Sequence, residues 1–265
     1  MVAAVERVAE RVRALAAGYE PPRFEHVPDV DSALFLCAVD HRTGYRGAYL
    51  VGGRGPIAGS ALMWELGLLA ARRDRGLLTA SRLDRIGADR VAEMFRIGGE
   101  TVVDPERRAA LWRDLAQGLQ RRYSGVARAL IEACDERLGG TGGLVARLAE
   151  FEAYGDPLAK KSFLFAKIAE RRGWFEVADP DCWEVCADNV LMRLALRSGL
   201  VEPGPLEAVR AATRAACKEV AEAAGVSPPV LDDLLWERGR DDPDLLGTAA
   251  GDLREPPRGA TSHWY

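Results

Sequence analysis

YGDPLAKKSFLFAKIAERRG (154–173) decides how this chain is read. Gly155 and Pro157 break one helix and start another, and behind them apolar residues return at the spacing of a helix with one buried face. Lys161 falls in the first turns of that helix. There an ammonium faces the positive end of the helix dipole, and Phe163, Leu164 and Phe165 desolvate it. Both effects lower the lysine pKa, and a lysine so lowered can act as a nucleophile. The competing expectation is that Lys160 or Lys161 simply carries its charge out to solvent along its stem.

Working outward, Asp188 follows 27 residues later in WEVCADNVLMRLALRSGLV (183–201), just ahead of the helix NVLMRLALRSG. A carboxylate there caps exposed N–H groups. An amine and a carboxylate together also suit chemistry at a sugar carbon, where one attacks or polarises C1′ and the other manages the charge that develops. The pair points to an N-glycosidic bond. In SPPVLDDLLWERGR (227–240) Asp232 and Trp236 are four apart and share a helix face. An aromatic beside a carboxylate can stack on a flat base while reading its edge; Trp236 as an ordinary core residue is the alternative.

The same helical period runs through VERVAERVRALAAG (5–18), SALMWELGLLAARR (60–73), RAALWRDLAQGLQRRY (108–123), GVARALIEACDERL (125–138), GLVARLAEFEAY (143–154) and LEAVRAATRAACKEVAEAAG (206–225). Gly and Pro stand where such helices should end, as in RSGLVEPGP and AAGVSPP. The expected fold is all-α, with two helical lobes flanking a groove: an N-terminal lobe over 1–140, a catalytic lobe over 141–245 and an irregular tail over 246–265 that Trp264 and Tyr265 could pin down. The helical period fades near residues 34–58, where Gly-rich turns suggest a small irregular or β element. Asp40 and His41 in VDHRTGY (39–45) fall there, where either can cap a turn.

Composition narrows the function classes. At 265 residues and 48% hydrophobic the chain can bury a substantial core. No run reaches about 18 consecutive apolar residues, so no membrane span is expected and a cytoplasmic monomer is the default. Five cysteines, with Cys182 and Cys186 the sole close pair, argue for reduced thiols and no metal or iron–sulfur site. The net charge of −4 weighs against a nucleic-acid partner. Basic residues nevertheless gather at Arg107, Arg108, Arg113, Arg121 and Arg122, and again at Lys160, Lys161, Lys167, Arg171 and Arg172. Solvated helix faces are the plain reading of both groups.

The segments KKSFLFAKI (160–168), VCADNVLMRLALRSGLV (185–201) and AAGVSPPVLDDLLWERGR (223–240), in this order, resemble the C-terminal half of the archaeal 8-oxoguanine DNA glycosylases of the helix-hairpin-helix superfamily. The resemblance spans roughly residues 150–240. It implies a Schiff-base lysine at Lys161, a catalytic aspartate at Asp188, Phe165 and Trp236 as the aromatic pair around an extruded base, and Asp232 as a pocket carboxylate. The superfamily hairpin would be YGDPLA (154–159). Two departures stand out: Asn189 and Val190 replace the usual tyrosine and arginine, and the hairpin lacks the Gly-x-Gly that grips a phosphate. The N-terminal layout is also similar to queuosine salvage proteins, which cleave a ribonucleotide's glycosidic bond on a related fold; there Asp40 would be a pocket residue. That family's FADYRVPQ is represented only by VCADNVLMR.

Three expectations follow. The first is a DNA glycosylase that flips out a modified purine and excises it through Lys161 and Asp188, with base excision repair as its setting, double-stranded DNA as its partner and no cofactor. The second is an N-glycosidase acting on a free modified purine nucleotide of the 7-deazaguanine type. The third is a non-catalytic binding module on the same scaffold.

Overall fold

The computed structural model describes residues 2–53, 55–248, 255–256 and 262–264. The described residues form twelve α-helices: α1 Val2–Ala16, α2 Val30–Ala38, α3 Gly59–Arg73, α4 Ala80–Leu83, α5 Ala88–Met94, α6 Pro105–Arg122, α7 Ala127–Glu132, α8 Leu144–Leu148, α9 Lys160–Arg171, α10 Asn189–Ser198, α11 Leu206–Ala224 and α12 Pro228–Gly239. The expected all-α class holds. Extended pairing among the described residues is confined to two isolated antiparallel bridges, Tyr49 with Ile57 and Ile97 with Glu100. No described helix is long and apolar enough to cross a membrane.

The chain divides into two compact units: Met1–Arg23 with Pro180–Ser262, and Phe24–Asp179 with His263–Tyr265. These do not coincide with lobes at 1–140 and 141–245. The reason lies in α1, whose Val5, Val8, Ala9 and Val12 form one buried stripe packed on α11, some two hundred positions away. Such a partner is invisible to local pattern. Within this unit α10, α11 and α12 close the core with Leu191, Leu194, Val220, Leu231 and Leu235; each such side chain stabilises the fold by roughly 1.5–3 kcal/mol when fully buried. Gly199 ends α10 and Gly225 ends α11 in left-handed conformation, with Val201 N–H returning to Ala195 O at 3.2 Å and Val226 N–H to Ala221 O at 3.0 Å. These are the glycine stops expected from the sequence.

The second unit is built around α2. Asp29 caps it by accepting the Ser32 N–H at 2.7 Å, and seven of its nine residues are buried. The start of the expected irregular element at 34–58 is therefore a helix. ALFLCA is enclosed on every side, so it has no polar face and shows no period to read. Beyond it, Tyr49 and Ile57 exchange two backbone hydrogen bonds of 2.9 and 3.0 Å, the β-like remnant of that expectation. Side chains from neighbouring elements donate to α2 carbonyls: Trp112 Nε1 to Phe35 O and Tyr154 Oη to Leu34 O, both at 2.6 Å. Of the tail expected over 246–265, residues 249–254, 257–261 and Tyr265 lie outside the described residues.

Candidate functional site

The end of α2 and the start of α9 meet in the core of the second unit. Asp156 caps α9, its carboxylate accepting the Leu158 N–H at 3.0 Å and the Lys160 N–H at 3.1 Å. Ala159 then enters the helix at φ 50°, a left-handed conformation that an alanine adopts at a cost of about 1–2 kcal/mol. The turn sends both lysines inward. Neither carries its charge out to solvent: Lys160 is buried and Lys161 has no exposed surface.

Lys161 Nζ donates to Ala38 O at 2.6 Å and lies 3.3 Å from His41 Nδ1. Ala38 O belongs to the last turn of α2, where carbonyls lack helical partners. Burial, together with the Lys160 charge beside it, holds the Lys161 pKa well below the ordinary lysine value. His41 is also buried, and burial followed by the charges of Lys161 and Arg108 holds its pKa well below the ordinary histidine value. Asp40 completes the group. Its carboxylate accepts from Ser60 Oγ at 2.7 Å and Trp64 Nε1 at 3.3 Å, and Lys160 Nζ lies 3.8 Å from Oδ2 while donating to Asp40 O at 3.2 Å.

Arg108 fixes the segment that carries His41. It is fully buried on α6 and donates from Nη2 to His41 O at 2.6 Å and Arg42 O at 3.1 Å, and from Nη1 to Val103 O. Burial brings its pKa down to about 10. His263, from the far end of the chain, sets its ring 6.3 Å from that of His41, edge-on at 79°. Ser60, Trp64, Arg108 and His263 gave no signal as site residues in the sequence, because what joins them to Lys161 is packing between helices and not spacing.

Of the other expected site residues, Asp188, Asp232 and Trp236 lie in the first unit and Phe165 in the second. Asp188 is the N-cap of α10, its Oδ1 accepting the Val190 N–H at 2.9 Å and the Leu191 N–H at 3.1 Å. The loop before it is held from two sides: Asp232 accepts the Cys186 N–H at 2.7 Å, and Arg210 Nε approaches Ala187 O at 3.5 Å. Asp232 and Trp236 stand one turn apart on α12, as expected; Trp236 is half-buried, with the Arg240 guanidinium 4.8 Å over its ring. Phe165, by contrast, has no exposed surface and sits on the inner face of α9. In this structure it is a core residue, and stacking on a base would require it to leave the core.

The basic stretches are largely engaged within the protein. Arg107 pairs with Glu152 at 2.7 Å, Arg113 donates to Ile86 O at 2.7 Å, and Arg122 pairs with Glu150 at 3.3 Å while lying over Phe151. Arg108 is internal, Lys160, Lys161 and Lys167 are buried, and Arg121 is exposed. No group of His, Cys, Asp and Glu among the described residues is arranged to hold a metal ion. No protein-family model matches the chain, and no curated protein matches it.

Proposed function

We propose that the chain is an N-glycosidase that cuts the bond between a sugar C1′ and a modified purine, with Lys161 as the nucleophile. The observation that carries this reading is the pair of contacts at Nζ. A neutral amine has two N–H groups; directing one to Ala38 O and the other to His41 Nδ1 leaves its lone pair for a substrate carbon. The depressed pKa moves the amine toward the neutral form that this chemistry needs. Since Nζ has no exposed surface, substrate binding has to move neighbouring side chains to bring C1′ within reach. Asp40, held by Ser60 and Trp64, supplies negative charge near the amine pair, where positive charge on the sugar would develop.

The helix-hairpin-helix glycosylase layout and the roles of Asp188 as catalytic carboxylate and of Asp232 and Trp236 as base-reading groups belong to the same proposal. Their support is the sequence resemblance and, for Asp188, a loop anchored well enough to hold a carboxylate in one orientation. Of the two substrate classes, a free modified purine nucleotide is the better supported. Duplex DNA needs accessible cations to neutralise phosphates, and most of the basic residues in both stretches are buried or paired.

The test is a panel of 5′-mononucleotides and duplex oligonucleotides, each with one modified purine, assayed for release of the free base. Release from a nucleotide by the wild type and none by Lys161→Gln is the expected outcome. Release from duplexes alone overturns the substrate class; no release from either, or undiminished release by Lys161→Gln, overturns the reading.

A further inference from the structure

Two buried lysines stand side by side at the start of α9, and their surroundings differ. Lys160 Nζ donates to Asp40 O at 3.2 Å and lies 3.8 Å from Asp40 Oδ2. That carboxylate is itself held by Ser60 Oγ and Trp64 Nε1, so its charge stays in place beside Lys160. Lys161 Nζ has no carboxylate within ion-pair distance among the described residues; its partners are Ala38 O and His41 Nδ1. A buried ammonium persists when an opposite charge offsets the water it has lost. Lys160 has that offset and Lys161 does not.

The titratable groups facing Lys161 are Lys160 on its own helix, Cys37 on α2, Asp40 and His41 just after α2, Arg108 on α6, and His263 beside the His41 ring. Burial pushes the Cys37 thiol up and the His41 imidazole down, so both favour their neutral forms. Arg108 is committed to three carbonyls. Lys160 and Asp40 therefore act on Lys161 in opposite directions, and the effect of Lys160 is the larger. We propose that Lys160 is a positioning residue for Lys161: an ammonium locked to Asp40, whose fixed charge keeps the neighbouring amine neutral. This role rests on Lys161 acting as the nucleophile, and it explains why Lys161 and not Lys160 does so. A second positive charge beside a fixed one is disfavoured, and an amine next to a cation is thereby activated.

The chain has four lysines, Lys160, Lys161, Lys167 and Lys218, so lysine labelled with carbon-13 at Cε gives four NMR signals, and Lys161→Gln identifies the one in question. In the full-length protein, Lys160→Met fills similar space without the charge and should raise the Lys161 titration midpoint by about one unit or more. Lys160→Arg keeps the charge and should keep the midpoint low. Lys218, in the first unit, is the control and should not move. The double variant Asp40→Asn/Lys160→Met leaves no buried carboxylate without its cation and should still raise the midpoint, because Lys160 outweighs Asp40. A Lys161 midpoint in Lys160→Met equal to or below that of the wild type overturns the proposal; if that variant does not fold, the double variant decides by the same criterion. With an active nucleotide in hand, the acid limb of kcat/KM should move to higher pH in Lys160→Met, lowering the rate below the limb about tenfold per unit, and return in Lys160→Arg. A limb that stays in place overturns the role. If the wild type cleaves no N-glycosidic bond, the proposed function falls, and the lysine titration still decides whether Lys160 sets the state of Lys161.

Discussion

Lys161 Nζ and His41 Nδ1 lie 3.3 Å apart in the protein interior, although 120 positions separate them in the chain. The direction of this hydrogen bond decides the chemistry. If the lysine donates, its lone pair stays available; if the histidine donates, the lone pair is consumed. The nucleophile reading therefore requires His41 to carry its proton on Nε2. Long-range proton–nitrogen NMR spectra at neutral pH report the tautomer directly, and a proton on Nδ1 would contradict it.

Both groups are bases held below their ordinary values, so folding should be linked to pH in one direction. The unfolded chain binds more protons than the folded one below about pH 10.4 for the lysine and about pH 6.5 for the histidine. Each contribution is complete above that pH and is lost as pH falls toward the folded value. In the units just below about pH 10.4 the wild type should therefore gain stability with rising pH, by up to about 1.4 kcal/mol per unit, relative to Lys161→Met. Denaturant midpoints of the two proteins across this range check it; parallel curves would contradict it.

Asp188 offers a way to separate capping from catalysis. Asparagine caps a helix about as well as aspartate, so Asp188→Asn should change stability by less than about 0.5 kcal/mol, while Asp188→Ala should cost about 1 kcal/mol. If the carboxylate charge acts in catalysis, Asp188→Asn should nevertheless lower turnover by a factor of about 100 or more. Thermal unfolding and initial rates on the same preparations give both numbers.

Arg108 holds three backbone carbonyls and fills a buried volume. Arg108→Ala leaves those acceptors without their partner and opens a cavity, so a loss of about 3 kcal/mol is expected. The His41 resonances should broaden or move with it, because the segment that carries the ring loses its anchor. Chemical denaturation and the histidine spectra test the two effects together.

Engagement of the basic residues bears on DNA. A protein that neutralised six or more phosphates would lose about three or more powers of ten in affinity between roughly 50 and 200 mM salt. Here duplex binding should be weak even at low salt, with a shallow salt dependence. Fluorescence anisotropy with a labelled duplex measures it, and a steep slope would return DNA to the list of substrates.

How much was legible in the sequence varied with the kind of contact. α1 and α11 announced themselves because each has one buried face, and the ends of α10 and α11 were marked by Gly199 and Gly225. The helix α2 was hidden by being apolar all round. Lys161 was legible as an amine behind a helix-starting turn among aromatic residues. Its partners were not: Ala38 and His41 reach it through packing of the end of α2 on α9, and no local pattern encodes that. The burial of Phe165 was not legible either, because an aromatic at helical spacing looks the same whether its face is open or covered.

The most direct test of Lys161 as nucleophile is borohydride trapping during turnover of a modified purine nucleotide, followed by peptide mass mapping. The account expects a reduced sugar adduct on the peptide containing Lys161, with none formed by Lys161→Gln. Base release by the wild type with no adduct, and the same rate in Lys161→Gln, would contradict it.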